Sequence, residues 1–434
     1  MIANAHPDHS VGGAEIAAYN LFRFLAEDPG VEAAVFLART SLASVPPGSI
    51  VARRTGEFLW RQDIGDWFKL MTAYPRAVSD HFRAFLARQK PSVIFVHHYS
   101  HIGIEFLREI KRAVPGCKIV MTLHEYGAIC NRQGQMLKNI SNRLCYRESP
   151  EDCHLCFSDR SPEDFWLRKR YIFKHFDAVD EFVSPSEFLR RRYVEWGVPS
   201  TRIHVIENGQ PSREADVARQ GRASTRAIST GARKKLGRPI IVGYFGQINR
   251  YKGLDVLLTA IDALSDVTKR NLKVEVHGAN LEEQPDDFRG RISKMRDRAA
   301  EEGAIHWVGS YERTELMRRM TRVDCVVVPS IWWENSPMVI QEAFVCGKPV
   351  ICSGIGGMAE KVRDGVDGLH FEAGNPFSLA EKLTLIAADP NVLARLSANI
   401  QTPASYEECG QAYMRLAQQA LDRQIRETDP ASLP

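Results

Sequence analysis

One segment in the second half of the chain limits most strongly what fold the chain can adopt. It opens with the apolar run Asp324-Cys-Val-Val-Val-Pro329, which predicts a buried parallel strand, because such strands are nearly continuous runs of apolar residues. Ser336 and Pro337 then predict the start of a helix, with a hydroxyl at the N-cap and proline at the first helical position. The helix is predicted to end near Gly347, and another strand follows at once. This order of elements predicts a parallel α/β sheet.

Two glutamates lie in this segment where a ligand would bind. Glu334 is in the predicted loop between strand and helix, and Glu342 is on the second turn of the helix. Ligands bind at the carboxyl ends of parallel strands, and the free amides of a first helical turn attract phosphate. A carboxylate repels phosphate, so the two glutamates are predicted to accept hydrogen bonds from sugar hydroxyls. The alternative is a surface pair of glutamates on an ordinary helix.

The same residues resemble the retaining glycosyltransferases of family 4, which have the GT-B fold. The resemblance rests on Glu334 and Glu342, on Gly347-Lys-Pro-Val and on Gly356-Gly-Met-Ala-Glu360. It implies an α/β fold of two Rossmann-like doubly wound domains that face each other across a cleft. It also implies that Glu334 contacts the hydroxyls of the donor sugar and Glu342 the ribose. Four residues at the helix start are predicted to bind the donor as well: Asn335, Ser336, Pro337 and Met338.

Composition narrows the class of protein. The 434 residues predict two or three domains, and 44% hydrophobic residues suffice for a large core. A net charge of +4 is weak on this length and gives no argument for a nucleic-acid partner. The chain has no long apolar run and no visible signal peptide, so we expect a cytoplasmic protein, with peripheral contact at the inner membrane face as an option.

The first half alternates apolar runs with helical patterns and predicts a doubly wound sheet. Residues 1–6 are too short for a complete strand with its lead-in, and a helix is predicted over 16–26. Gly12 and Gly13 precede this helix and allow the backbone to approach a ligand, and the resemblance implies contact with the donor phosphates or the acceptor. The segment 56–90 has helical spacing and predicts a pair of helices. Strands are predicted at 31–38, 92–97, 118–124, 181–184 and 203–207.

His124 ends a predicted strand, at the edge of the sheet where ligands bind. The resemblance implies that a histidine here lies between donor and acceptor, so His124 is predicted to be catalytic. The alternative is a histidine with a structural role. His97 and His98 end the preceding strand and are secondary candidates.

Four cysteines follow in a polar segment: Cys130, Cys145, Cys153 and Cys156. A Cys-x-x-Cys pair with two further thiols in a reducing compartment predicts a tetrahedral structural metal site, most simply zinc. A metal would hold the shape of a loop that has too few apolar residues to pack. The alternatives are four unpaired thiols or a redox-labile loop.

A helix predicted from Ser161-Pro162 to Phe176 mixes aromatic with basic residues. Together with Arg190-Arg-Arg-Tyr193 it could contact an anionic lipid surface or a lipid diphosphate acceptor. The alternative is a helix that packs its aromatic side and leaves its basic side in solvent.

The second domain opens with a strand that runs to a glycine turn at Gly246, and Arg250 and Lys252 follow before the next helix. Cations beside a helix start suit a diphosphate, and solvated loop charges are the alternative. The resemblance would place arginine after Gly246, where this chain has Gln247; Lys252 matches the lysine of the family, and Arg250 is predicted to supply the missing charge. Further strands are predicted at 272–278, 305–309, 350–354 and 368–371.

These observations predict an acceptor domain over 1–208, a basic linker over 209–238 and a nucleotide-sugar domain over 239–400. A helix that crosses back to the first domain is predicted over 406–425, with a disordered tail after it. The resemblance implies that Ser310 and Tyr311 contact the nucleotide base.

The predicted function is retaining transfer of a sugar from a nucleotide-diphosphate donor, of UDP or GDP type, to a hydroxyl of a glycan or lipid-linked acceptor, in polysaccharide or glycolipid assembly. The chain contains no Asp-x-Asp, so helix amides, Lys252 and Arg250 are predicted to hold the diphosphate without a metal or other catalytic cofactor. The alternatives are a nucleotide-sugar epimerase of the same fold and a non-catalytic binding protein.

Overall fold

The computed structural model describes residues 1–10, 12–211 and 238–428. The chain divides into two compact units, the first formed by Met1–Gly209 with Tyr406–Pro434 and the second by Gln210–Ser405. Most of the predicted linker over 209–238, and the end of the predicted tail, lie outside the described residues.

Each unit is built on one main sheet. The strands are β1 (Ile2–Ala3), β2 (Phe36–Thr40), β3 (Ile50–Arg54), β4 (Glu57–Arg61), β5 (Ile64–Asp66), β6 (Met71–Thr72), β7 (Val93–Val96), β8 (Lys118–Thr122), β9 (Glu181–Ser184), β10 (Ile203–Val205), β11 (Ile240–Gln247), β12 (Leu272–Ala279), β13 (Ile305–Trp307), β14 (Cys325–Val328), β15 (Val350–Ser353) and β16 (Gly368–Phe371).

Helices cover both sheets. They are α1 (Gly13–Glu27), α2 (Pro75–Ala77), α3 (Arg83–Gln89), α4 (Phe106–Ala113), α5 (Pro150–Cys156), α6 (Pro162–Phe176), α7 (Glu187–Trp196), α8 (Leu254–Asp262), α9 (Asp266–Asn271), α10 (Asp286–Glu301), α11 (Leu316–Met320), α12 (Met338–Val345), α13 (Gly356–Lys361), α14 (Pro376–Ala388), α15 (Asn391–Ala398) and α16 (Tyr406–Thr428).

The strand pairing is that of doubly wound sheets. The first unit has the order β10-β9-β8-β7-β1-β2-β4-β3, in which only the β3–β4 pair is antiparallel among the described strands. The second unit has the order β13-β12-β11-β14-β15-β16, with all pairs parallel. The carboxyl ends of the strands therefore meet at one edge of each sheet, and the loops at that edge carry the candidate residues.

The terminal helix α16 packs on the first unit. Leu416 lies in one buried cluster with Leu21 and Leu25 of α1. The hydroxyls of Tyr413 and Thr122 share a hydrogen bond of 2.8 Å, which ties α16 to the end of β8. The helix extends to Thr428, a few residues beyond its predicted end.

The prediction of two helices over 56–90 was wrong for its first half. Residues 57–61 form the strand β4, which pairs with β2. Leu59 and Trp60 point to opposite faces of the sheet, and both are buried because both faces are covered. A strand buried on both faces does not alternate apolar with polar residues. The spacing of its aromatic residues then resembles that of a helix. The second half, from α2 to α3, is helical as predicted, with a π-helical turn at Val78–Phe82.

Candidate functional site

In the second unit, two loops that follow neighbouring strands are brought into contact. The helix α8 begins after Gly253, which has a φ of +68° and whose added Cβ would lie 1.8 Å from the carbonyl oxygen of Pro329. Only glycine permits this approach, because any side chain would overlap the backbone at the end of β14. Lys252 is thereby placed beside the loop that carries Glu334.

The carboxylate of Glu334 is buried and held by three donors. Its Oε1 accepts from Lys252 Nζ at 2.7 Å, from Ser330 Oγ at 2.7 Å and from Trp332 Nε1 at 2.8 Å. Burial by itself would raise the pKa of Glu334, but the charge of Lys252 and the three hydrogen bonds outweigh it and lower the pKa below its usual value. Glu334 is therefore an ionised carboxylate at neutral pH, at the carboxyl edge of the sheet.

A second glycine holds the loop of Glu334 in place. The amide of Gly357 donates to the carbonyl oxygen of Glu334 at 2.8 Å, and a Cβ on Gly357 would lie 2.0 Å from the carbonyl oxygen of Asn335. The first turn of α13 thus packs directly on the backbone of residues 334–335. The position of the carboxylate depends on this close approach.

The helix α12 begins one residue later than predicted. Pro337, with φ −66° and ψ 109°, is the N-cap, so it is extended and does not form the first helical residue, and Ser336 is not the cap. The hydroxyl of Ser336 is buried and has no hydrogen-bond partner among the described residues. Buried polar groups of this kind are often completed by a ligand or water. The amides that start at Met338 form the first turn of α12.

Glu342 lies on α12 and pairs with an arginine that the sequence did not single out. Arg313 Nη1 is 3.3 Å from Glu342 Oε1, and the glutamate side chain is 8% exposed. Burial raises the pKa of Glu342, and the charge and hydrogen bond of Arg313 oppose this rise. Arg313 follows Tyr311, whose ring packs edge-on against Phe245. Ser310 is exposed.

Arg250 and Gln247 are placed differently from Lys252. Arg250 Nη2 lies 3.8 Å from Asp287 Oδ2, and both side chains are well exposed. Gln247 is exposed at the end of β11, and Gly246 has a φ of +135° with open space where its Cβ would be. Lys252 is thus the cation that the structure pairs with Glu334, whereas Arg250 lies near Asp287, and its predicted role at the diphosphate stays a prediction.

In the first unit, Gly12 caps α1 and Gly13 is its first residue. The carboxylate of Glu15 folds over Gly12, since its Oε2 lies 2.2 Å from the position of an added Cβ. Glu15 Oε1 also accepts from Asn4 Nδ2 at 2.8 Å. A phosphate would be repelled by this carboxylate, so the geometry favours a hydroxyl-bearing ligand over a phosphate at Gly12.

Histidines cluster at the carboxyl ends of β7 and β8. His124 Nε2 lies 3.0 Å from His97 Nδ1, and His98 Nε2 lies 2.7 Å from His101 Nδ1. Burial lowers the pKa of His124 to about 4 and holds the pKa of His97 well below its usual value. Both rings are therefore neutral at pH 7 and serve as hydrogen-bond partners, one nitrogen donating and the other accepting.

Glu125 follows His124 directly and was not predicted as a site residue. Its carboxyl contacts Ser100 Oγ, and burial raises its pKa to about 7. A carboxyl with this pKa can exchange a proton near neutral pH. The signal for Glu125 was its position next to His124, whereas nothing in the local sequence pointed to Ser330, Trp332 or Arg313.

The four cysteines of the predicted zinc site form no disulfide bond. Burial raises the pKa of Cys130 and Cys145, and it raises the pKa of Cys153 to about 12. Among the described residues, which include all four cysteines, no group of three or more His, Cys, Asp or Glu side chains is arranged to hold a metal ion. The zinc site therefore has no geometric support and stays a prediction.

Comparisons with known proteins identify the family and the fold of the chain. A family model described as glycosyl transferases group 1 matches residues 229–402, and one described as Glycosyltransferase Family 4 matches residues 11–211. The chain belongs to glycosyltransferase family 4. The family 4 match corresponds to the first unit and the group 1 match to the second. The resemblance inferred from the sequence motifs is confirmed.

Two relatives show how much of this family 4 protein is similar in sequence to known enzymes. A D-inositol 3-phosphate glycosyltransferase of Xylanimonas cellulosilytica is 26% identical over 234 residues, which are 52% of this chain and 54% of that protein. The chain thus spans about half the length of that relative. The enzyme of the same name from Thermobispora bispora is 25% identical over 431 residues, covering 95% of this chain and 91% of its own.

A solved structure shows the fold. The Anabaena protein Alr3699/HepE, in complex with UDP and glucose, matches with a TM-score of 0.61 at 15% identity, over 96% of this chain and 98% of that one. The fold of this family 4 protein is GT-B, as predicted. Within the described part of the chain, no helix has the length and apolar character needed to cross a membrane.

Substitution of Gly357 by alanine tests the packing that holds the loop of Glu334. The added Cβ would overlap the carbonyl oxygen of Asn335, so we expect a loss of about 1–3 kcal/mol in unfolding free energy, measured by urea denaturation. The matched control is Gly290→Ala in α10, where a Cβ meets nothing within 4 Å and alanine should stabilise by about 0.5–1 kcal/mol. Equal stabilities of the two variants would contradict the packing argument.

The half-buried His124, whose pKa is lowered by desolvation, predicts acid sensitivity. The unfolded state takes up a proton at the usual pKa of 6.5, whereas the folded state does so only at about 4. Stability should therefore fall as pH drops through this window, with about 3 kcal/mol from this residue at full extent. Unfolding curves at pH 7.0 and 4.5 should show a smaller loss for His124→Asn than for the wild type. The exposed His306, replaced by Asn, should leave the loss unchanged.

Proposed function

We propose that this family 4 protein transfers a sugar from a nucleoside diphosphate donor to an acceptor hydroxyl, with retention of the anomeric configuration. The observation that carries the proposal is the ionised, buried carboxylate of Glu334 in contact with Lys252, at the start of α12. A buried carboxylate accepts hydrogen bonds from a diol, and a lysine beside helix amides binds a diphosphate. The HepE protein, which has a similar fold, forms a complex with UDP and glucose, and this supports a nucleoside diphosphate sugar as the donor.

The donor diphosphate is proposed to bind at the amides of the first turn of α12 and at Lys252. In that position Lys252 lies between two anions, the carboxylate of Glu334 and the phosphate. As the glycosyl bond breaks, negative charge develops on the leaving diphosphate, and these fixed donors stabilise it without reorganisation. Glu334 meanwhile accepts from the sugar hydroxyls and holds the anomeric carbon in place.

We propose that Glu342, the second acidic residue of the site, recognises the nucleoside. Glu342 is held by Arg313, so its charge is balanced before any ligand arrives. A balanced carboxylate can accept the two hydroxyls of a ribose without the cost of an unpaired buried charge. Tyr311, half-buried beside Phe245, provides a ring near the base.

The acceptor is proposed to bind on the first unit, near His124 and Glu125. The neutral ring of His124 can accept or donate a hydrogen bond to a hydroxyl, and the raised pKa of Glu125 suits exchange of its proton near pH 7. The acceptor class that we propose is a glycan or a lipid-linked glycan. The two relatives described above are named for D-inositol 3-phosphate, and that substrate is assigned to those proteins only.

We also propose peripheral contact of the first unit with an anionic membrane. Trp166 and Leu167 on α6 are 54% and 56% exposed, so the aromatic side of this helix is not wholly packed. Arg170 and Lys174 are exposed one and two turns further along the same face. Apolar and basic side chains on one exposed face are typical of helices that lie at a lipid surface.

Two variants test the donor site by calorimetry with UDP and UDP-glucose. Lys252→Ala removes a charge-assisted contact and should weaken UDP binding about tenfold or more. Glu334→Gln removes no phosphate contact, so it should keep UDP binding and lose the added affinity for the sugar. In donor hydrolysis or transfer assays both variants should lose about 100-fold or more in rate.

The matched control for these variants is Arg318→Ala, which removes an exposed cation of the same unit that pairs with Glu315. It should leave UDP affinity and rate unchanged. Circular dichroism and thermal unfolding check that each variant is folded. UDP affinity of Lys252→Ala at the wild-type level, in a folded protein, would overturn the assignment.

Sedimentation with lipid vesicles tests the membrane surface. The wild type should bind vesicles rich in phosphatidylglycerol and bind phosphatidylcholine vesicles weakly, because the lysine and arginine of α6 require anionic headgroups. The double variant Trp166→Ala/Leu167→Ala should lose most of this binding. Phe377→Ala removes a 68% exposed ring from the second unit and should bind like the wild type. Unchanged binding of the double variant would refute the surface.

A further inference from the structure

A cavity of about 600 Å³ opens in the first unit between residues 146–149 and the end of α7. Its apolar lining includes Ile129 and Met136, which are buried. Its size is within the range of small-molecule sites. None of the roles proposed above uses this cavity, since His124 and Glu125 lie at the carboxyl ends of the strands.

Two aromatic side chains line the cavity. Tyr146 is 59% exposed, and the guanidinium of Arg192 lies 5.8 Å from the centre of its ring. Trp196 is buried and stacks on Phe173 with 4.7 Å between ring centres. The indole N–H of Trp196 has no acceptor among the described residues. A buried donor without an acceptor is costly and is often found where a ligand or water completes the site.

The charged groups of the cavity are balanced. Glu148 is 5% exposed and lies 3.3 Å from Lys169, and Glu195 lies 3.2 Å from Arg192. Arg147 and Arg192 also line the cavity, so its two guanidiniums and two carboxylates sum to no net charge and an anionic ligand gains little there. Carboxylates accept hydrogen bonds from hydroxyl groups, and the guanidinium of Arg192 donates them. The lining therefore suits a neutral ligand rich in hydroxyls.

The position of the cavity relates it to the acceptor. The helix α7 begins at the carboxyl end of β9 and has ten residues, so its far end lies about 15 Å from the strand ends. Tyr193 on the same helix donates its hydroxyl to the carbonyl oxygen of Glu125 at 2.7 Å. One helix thus connects the cavity to the loop on which we place the acceptor hydroxyl.

We propose that this cavity is a subsite for a neutral saccharide, where Tyr146 packs on the apolar face of a sugar ring and Glu148, Glu195 and Arg192 hydrogen-bond its hydroxyls. The subsite holds a part of the acceptor that is remote from the reacting hydroxyl. This assignment rests on the proposed function in that the ligand is an acceptor glycan. Binding of the saccharide itself requires no donor.

The test is binding of the full-length protein, without donor, to a microarray of neutral oligosaccharides built from glucose, galactose, mannose, rhamnose and N-acetylglucosamine. The same array carries acidic oligosaccharides for comparison. The strongest binders are then measured in solution by saturation-transfer NMR. Tyr146→Ala and Glu195→Ala change exposed side chains and leave the core intact, and each should weaken binding at least tenfold. Val205→Ala removes an exposed apolar side chain of the same unit, outside the cavity, and should bind like the wild type.

The outcomes separate this subsite from the proposed transferase activity. Failure of every neutral oligosaccharide to bind, or binding that both cavity variants leave unchanged, overturns the subsite while UDP affinity in calorimetry still supports the donor site. Binding of acidic oligosaccharides alone also overturns it. Saccharide binding that depends on Tyr146, in a protein with no affinity for UDP, supports the subsite and refutes the proposed function.

Discussion

The ion pair between Lys252 and Glu334 is the contact on which the candidate donor site depends. Removal of a carboxylate from water costs several kcal/mol unless a charge and hydrogen bonds compensate it. Lys252, Ser330 and Trp332 supply that compensation at one oxygen of Glu334. The pair therefore keeps a negative group in place beside the start of α12, where a lone carboxylate would become protonated or turn to solvent.

That pair exists because the backbone is unusually close at two glycines. Gly253 brings α8 to the end of β14, and Gly357 brings α13 onto the backbone of residues 334–335. A side chain at either position would overlap the facing backbone and force the loops apart. The chemistry of the site thus rests on the absence of two side chains as much as on the presence of Lys252 and Glu334.

Desolvated titratable groups take different charge states in the two units. In the second unit, buried Glu334 has a cation for a partner and stays charged. In the first unit, the half-buried His124 has another histidine for a partner, and desolvation lowers its pKa to about 4. The difference lies in the partner, because desolvation disfavours a charge unless an opposite charge offsets it. One unit therefore presents fixed charge, and the other presents neutral hydrogen-bonding groups.

The sequence by itself determined the alternation of strands and helices, the glycine and glutamate motif and hence the family, because these signals lie in residues close together along the chain. It could not determine that Arg313 pairs with Glu342 or that residues 57–61 form a strand. Only the tertiary structure decided these points. Each depends on which strands become neighbours. Residues that come together across a sheet are far apart in the chain, so the spacing of nearby residues does not reveal the contact.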